Sequence, residues 1–274
     1  MIRLSRILAP LFALAIALPA KAHEFWISPQ AYSIAAGETI LADLRVGQEL
    51  SGTTYSYIPQ NITRFDVLGP EGLSPVTGRV GDRPAANLAS GPEGLLTLIH
   101  ETTDSILTYR DFQKFVAFTE HKDFTWAIAE HAARGIPEFG FKETYRRYAK
   151  ALIAVGDGAG QDTRVGLNFE LVALSNPYTD PITGGLQVQL WLGDAPLPDT
   201  QIEVFAKDMT DQVTVTKYRT DEAGMVTLPM APNTEYLVDS VILSAREPSP
   251  ETQEAVWHSD WAALTFKTGS DLGD

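Results

Sequence analysis

The chain has 274 residues, and its 35 acidic side chains outnumber its 21 lysines and arginines, which gives a formal charge of −14 at neutral pH. This acidic balance excludes a nucleic-acid partner, because the sequence contains no basic stripe that would neutralise phosphates. The absence of cysteine excludes disulfides, thiolate metal sites and cysteine nucleophiles, so we expect a hydrophobic core to hold the fold.

The first 22 residues have the pattern of a secretory signal peptide. Arg3 and Arg6 give a positively charged start, and an apolar stretch over 7–18 follows. This stretch is too short to span a membrane, which needs about 20 apolar residues. An Ala-x-Ala pattern ends at Ala22, so cleavage there would make His23 the first residue of an exported, periplasmic protein with no membrane span in its mature chain.

Residues 23–178 are predicted to form an N-terminal β-domain. Short apolar or alternating runs, separated by glycine and proline, indicate strands at 32–37, 39–46, 64–68, 95–100 and 163–174.

A helical insertion is predicted in this first domain, around residues 108–150. Phenylalanines recur at helical spacing over 112–118, and a second helix is predicted over 123–133, before Gly135 and Pro137. Residues 143–155 could begin helical and finish extended, since the pattern of apolar residues does not decide between the two.

Residues 179–274 are predicted to form a second domain, a C-terminal sandwich. Several turn-forming residues lie close together over 176–185, and about six short strands follow at spacings typical of a small antiparallel sandwich. The predicted fold is therefore mainly β, with two sandwich domains of the immunoglobulin-like or transthyretin-like kind.

His23 is the clearest candidate for chemistry in the sequence. At a mature N-terminus, its free α-amine and its imidazole Nδ1 would close one ring on a metal ion, an arrangement called a histidine brace. Both groups lose their protons readily near neutral pH, and nitrogen donors suit Cu(II), Ni(II) and Zn(II). The alternative is that a histidine is merely tolerated after the cleavage site.

A brace needs another ligand, and His100 and His131 are the candidates. His100 ends a predicted strand and His131 lies on the second predicted helix, so either could approach His23. The alternatives are a surface histidine at a strand end and a solvated helix residue. His121 and His258 are weaker candidates.

A dense aromatic and basic cluster, Tyr145-Arg146-Arg147-Tyr148, could bind an anion or a carboxylate. The alternative is that the tyrosines pack in the core while the arginines pair with the abundant acids.

No motif of a common enzyme class is present. The chain has no His-x-x-x-His pair, no Gly-x-Ser-x-Gly elbow and no phosphate-binding or dinucleotide-binding glycine loop. We therefore expect no catalytic activity, and a copper-dependent oxidase activity is a distant third hypothesis.

Several stretches, in chain order, resemble an exported bacterial family, domain-of-unknown-function family 4198, whose description mentions a nickel-uptake substrate-specific component. The similar stretches are residues 23–27 (HEFWI), 44–47 (LRVG), 65–69 (FDVLG), 143–152 (ETYRRYAKAL), 176–178 (NPY) and 261–266 (WAALTF). The region from Leu186 onward also resembles the transthyretin-like or carboxypeptidase-regulatory-like sandwich, which implies a binding or structural module.

The residues and the resemblance together predict a periplasmic protein that binds a transition-metal ion, Cu, Ni or Co, for uptake or handling. The predicted metal ligands are His23, His100 and His131. The alternative is a non-catalytic envelope protein that binds a receptor or transporter partner without a metal.

Overall fold

The computed structural model describes residues 23–272, and the predicted signal peptide lies outside them. The fold is mainly β, as predicted. The strands are β1 (Glu24–Pro29), β2 (Ser33–Ile34), β3 (Thr39–Gln48), β4 (Ser51–Tyr55), β5 (Ile62–Gly69), β6 (Gly72–Pro75), β7 (Ala86–Ala89), β8 (Gly94–Thr102), β9 (Ser105–Tyr109), β10 (Phe141–Val155), β11 (Phe169–Ala173), β12 (Leu186–Leu192), β13 (Ala195–Pro196), β14 (Gln201–Lys207), β15 (Val213–Arg219), β16 (Met225–Leu228), β17 (Glu235–Ala245) and β18 (Ala255–Lys267).

A ten-stranded sheet forms the middle layer of the molecule. Its strands follow the order β15-β14-β17-β18-β10-β8-β5-β6, and β2 and β9 also pair with β10. The long strands β10 and β18 lie side by side in parallel, with Tyr145 opposite Ser259. The other pairings in this sheet are antiparallel, apart from that of β2 with β10.

Two smaller sheets cover opposite faces of this middle sheet. One contains β1, β3, β4 and β7, and the other contains β11, β12, β13 and β16. Successive residues of β10 supply both cores, because side chains alternate between the faces of a strand. Ile153 packs in the core with β1, whereas Leu152 packs in the core with β11 and β12.

The second half of β10 explains why the pattern of residues 143–155 was ambiguous. Every residue from Tyr148 to Val155 is buried, since each face of the strand is covered by another sheet. A strand buried on both faces has a nearly continuous apolar sequence instead of an alternating one. The whole segment is a strand, and no part of it is helical.

The predicted helical insertion is present as α1 (Phe112–His121) and α2 (Trp126–Ala133). Asp111 caps α1, because its carboxylate accepts the main-chain N–H of Gln113 at 3.0 Å. The two helices pack over β9 and β18 through a third core that includes Phe115 and Trp257. No helix within residues 23–272 is long and apolar enough to cross a membrane.

Strands from both sides of residue 178 share the middle sheet, since β10 precedes it and β14, β15, β17 and β18 follow it. The proposed division into domains 23–178 and 179–274 therefore runs through one continuous sheet. That division, and the likeness of the second part to a transthyretin-like sandwich, stay predictions.

Candidate functional site

Strand β1 fixes the backbone next to His23. It pairs with β3 along its whole length, and its Trp26 and Ile27 side chains are fully buried. The Nη2 atom of Arg147 donates a hydrogen bond to the main-chain oxygen of His23 at 3.3 Å. A site built at His23 would therefore stand on a rigid support, as a preorganised binding site requires.

The imidazole of His23 is free and exposed. No hydrogen bond or ion pair joins it to another side chain in the part of the chain described, 23–272. It lies between a cavity of about 490 Å³, called here the first cavity, and a more open surface depression beside the hairpin of β3 and β4. The ring is thus available to a ligand from solution.

A buried charge cluster lies directly behind His23. The Nζ atom of Lys122 is 2.9 Å from Asp239 Oδ2 and 3.7 Å from Glu24 Oε1, and it also contacts the Glu203 carboxylate. All four side chains are at least 96% buried. They come from β1, the end of α1, β14 and β17, so the cluster ties the N-terminal strand to the rest of the molecule.

The carboxylates of this cluster differ in their pKa values. Burial, followed by the charge of Asp239, raises the pKa of Glu24 to about 8. Burial also raises the pKa of Asp239, against the attraction of Lys122. For Glu203, burial is opposed by hydrogen bonds from His121 and Lys122 and by the charge of Lys122, which together lower its pKa to about 2. The protonated form is thus favoured at Glu24 and the ionised form at Glu203.

The same acids form the one group of three metal-binding side chains found within residues 23–272. Oxygen atoms of Glu24, Glu203 and Asp239 lie within 4.8 Å of one another. Lys122 already holds a positive charge among them, so a metal ion would have to displace it. Oxygen ligands also suit Mg²⁺ or Ca²⁺ better than nickel or copper, so this group does not match the predicted nitrogen site.

His100 lies in the core and not at the surface. It is only 2% exposed, and its ring packs between those of Phe25 and Phe65 at centroid distances of 5.2 and 5.0 Å. Neither ring nitrogen has a hydrogen-bond partner in the described part of the chain. Burial lowers its pKa to about 3, so the ring is neutral.

His131 has a structural role in the helical insertion. Its Nδ1 accepts a hydrogen bond from Trp257 Nε1 at 3.2 Å, and its Nε2 lies 3.3 Å from the main-chain oxygen of Pro137. Both nitrogens thus have protein partners. No group of three metal-binding side chains within 23–272 contains His23, His100 or His131, so the structure does not gather the predicted ligand set, which stays a prediction.

Arg147 is the functional candidate that the histidine-based argument missed. It lines the first cavity and also a second one of about 360 Å³, which His100 lines as well. Its guanidinium lies 4.8 Å from the ring centre of Tyr145 and 5.7 Å from that of Phe25. Unlike Arg146, which pairs with acids, it forms no ion pair with a carboxylate among the described residues.

The sequence feature that pointed to Arg147 is the aromatic and basic cluster Tyr145–Tyr148, of which it is a member. The two arginines of that cluster point to opposite faces of β10, because neighbouring side chains alternate along a strand. The expectation that the arginines pair with acids is therefore met by Arg146, whereas Arg147 donates to a main-chain oxygen and forms no ion pair with a carboxylate among the described residues. Burial lowers the pKa of Arg147, although nearby acids and tyrosines oppose this effect.

The chain has partial likeness to several solved structures. A tetra-tandem repeat from the extending region of a large adhesion protein is 12% identical, with 89% of this chain and 49% of that chain covered and a TM-score of 0.22. The D0-D1 domain of intimin is 11% identical, with 88% and 97% covered and a TM-score of 0.20. The adhesin InvE of Yersinia pseudotuberculosis is 12% identical, with 89% and 58% covered and a TM-score of 0.19.

These TM-scores are too low to indicate a shared fold, and this chain spans about half the length of the first of the three. No curated protein matches the sequence. The family model described as "Domain of unknown function (DUF4198)" matches residues 20–243, and the chain therefore belongs to this family.

Proposed function

We propose that this protein is a periplasmic protein that binds one transition-metal ion, Cu, Ni or Co, for uptake or handling, with His23 as the chelating residue. The observation that carries the proposal is the free imidazole of His23, which lies immediately before the fixed strand β1 and lines the first cavity. Cleavage after Ala22 would add the α-amine of the same residue as a second nitrogen donor.

The surroundings of His23 favour a metal site with open positions. His131 has protein partners for both ring nitrogens, and His100 packs between two phenylalanine rings. The remaining ligands of the metal would then come from solvent or from a molecule in the first cavity. A site of this kind suits a protein that takes up a metal ion and releases it again.

The test is a calorimetric titration of Cu(II) and Ni(II) into the mature chain that begins at His23. We expect one ion to bind per chain, and we expect an extra alanine before His23 to weaken Cu(II) binding more than tenfold, because the extension removes the amine from the chelate. His23→Ala should weaken binding at least as much.

His258→Gln is the matched control. This histidine lies on β18, where it contacts Thr144 and Asp260, and its replacement should leave the affinity unchanged. Equal binding by the native and the extended chain would overturn the chelating role of His23, and no binding by the native chain would leave the metal-free envelope interaction as the better hypothesis.

A further inference from the structure

We propose that the first cavity binds a small organic carboxylate with an apolar body. Three cations line this cavity, Arg110, Lys114 and Arg147, and none of them forms an ion pair with a carboxylate in the part of the chain described, 23–272. The inference does not depend on metal binding by His23.

The absence of acid partners is informative because acids are abundant. The chain contains 35 acidic and 21 basic side chains, and most described cations, such as Arg64, Lys150 and Arg219, are paired with acids. The cations away from the cavity that have no acid partner within residues 23–272 are Arg45, Arg83, Lys142 and Lys267. Three unpaired cations line one cavity and outnumber its two acids, Asp111 and Glu143, so they create a local positive field on an acidic protein. Such a field attracts anions and raises their local concentration.

The two acids that line the cavity are already engaged. Asp111 caps helix α1 through the N–H of Gln113. Glu143 accepts a hydrogen bond from Tyr109 Oη at 2.8 Å and a further one from the Ser259 hydroxyl. These contacts hold both carboxylates in place, and neither of them forms a direct ion pair with the three cations, which outnumber them in the lining.

Arg147 is suited to receive a carboxylate. The guanidinium presents several N–H groups in a plane and pairs with a carboxylate through two parallel hydrogen bonds. Its Nε is buried without a hydrogen-bond partner among residues 23–272, and its Nη2 donates to the main-chain oxygen of His23. Contacts with the rings of Phe25 and Tyr145 hold the guanidinium in place. Arg110 and Lys114 are exposed and lie at the rim.

The walls of the cavity indicate a ligand with an apolar part. Leu107, Phe118, Tyr145 and Trp261 line it, and its volume of about 490 Å³ falls within the usual range for small-molecule sites. An inorganic ion would leave these apolar surfaces in contact with water, whereas an apolar body would cover them. The combination favours an organic carboxylate over phosphate or sulfate.

The probe for the test is 2-naphthoate, with 2-naphthamide as its neutral counterpart and inorganic phosphate as a competitor. Binding is measured by calorimetry on the full mature chain in excess EDTA, so that metal binding by His23 plays no part. We expect 2-naphthoate to bind one per chain, the amide to bind at least tenfold more weakly, and phosphate not to displace the naphthoate.

The variants locate the site. The double variant Arg110→Gln, Lys114→Gln changes only exposed side chains, and it should weaken 2-naphthoate binding about tenfold. Arg147→Lys keeps the charge but loses the planar fork, and it should weaken binding by a similar factor. Lys267→Gln is the matched control, since Lys267 is exposed and lies six residues along β18 from Trp261, and it should bind as the native chain does.

Four results would overturn the inference. They are equal binding of acid and amide, native affinity in the Arg110 and Lys114 double variant, no binding of 2-naphthoate at millimolar concentration, and displacement of the naphthoate by phosphate. The last result would assign the site to inorganic anions. Each of these outcomes is independent of the metal titration, so the two proposals fail separately.

Discussion

At the scale of single residues, His100 is a polar side chain that lies in an apolar core. Its two ring nitrogens lack partners within residues 23–272, and phenylalanine rings flank it on both sides. The sequence placed it at the end of a strand, as a metal ligand or a surface residue. Its neighbours are Phe25 on β1 and Phe65 on β5, directly opposite His100 in the sheet. Both are far from His100 in the sequence, so spacing along the chain could not reveal this environment.

Replacing His100 by leucine should stabilise the protein by about 1 kcal/mol at neutral pH. The substitution removes a polar group that burial deprives of hydrogen bonds, which costs about 1–3 kcal/mol when it is unsatisfied. Urea denaturation of the native chain and the variant measures the difference. A destabilised variant would show that the ring nitrogens have a bonding partner, such as bound water.

The same residue should make stability depend on pH. Its pKa falls from 6.5 to about 3 on folding, so between these values the unfolded chain binds a proton that the folded chain does not. Stability should therefore decrease as the pH falls below about 6.5, by up to about 1.4 kcal/mol per pH unit. His100→Leu should lose this contribution, so its advantage over the native chain should grow toward pH 4; a constant difference would contradict the assignment.

At the scale of one element, strand β1 is held by two kinds of interaction, apolar packing and a buried ion cluster. Trp26 and Ile27 bury its apolar side, while Glu24 joins the buried cluster around Lys122. The apolar run over residues 25–27 is typical of a strand, so a local pattern indicates β1. No local pattern indicates the cluster, because Glu24, Lys122 and Asp239 are far apart in the sequence.

Lys122→Met should destabilise the protein by about 3–5 kcal/mol. Removing the cation from a buried ion cluster leaves carboxylates without compensation, which is the costly way to break such an interaction. Lys267→Met is the control, since Lys267 is exposed, and it should change stability by less than about 0.5 kcal/mol. Similar stabilities for both variants, measured by thermal unfolding, would show that the Lys122 cluster contributes little.

At the scale of the whole molecule, the fold has three layers of β-sheet, and the ten-stranded sheet lies between the two smaller ones. The sequence predicted the fold class, the helical insertion and most strands, because these depend on local patterns of apolar residues and turns. It did not predict the parallel pairing of β10 with β18, because a pairing between strands that are a hundred residues apart has no local signature. The middle sheet therefore extends across the boundary that turn-forming residues suggested near residue 178.

This architecture predicts that the first half of the chain does not fold alone. A fragment of residues 23–178 lacks β18, so β10 loses its parallel neighbour, and Leu152 loses the cover that β12 provides. We expect the fragment to show no cooperative thermal transition by circular dichroism, whereas the full mature chain shows one. A fragment that melts cooperatively near the temperature of the full chain would support two independent domains instead.

We propose that His23 chelates a transition-metal ion through its own amine and imidazole. The most direct measurement is electron paramagnetic resonance of the mature chain loaded with one equivalent of Cu(II), compared with the chain extended by one alanine before His23. We expect hyperfine coupling to two nitrogens of His23 in the native chain and a clearly different spectrum in the extended chain. Identical spectra from the two chains, or an unchanged spectrum in His23→Ala, would contradict it.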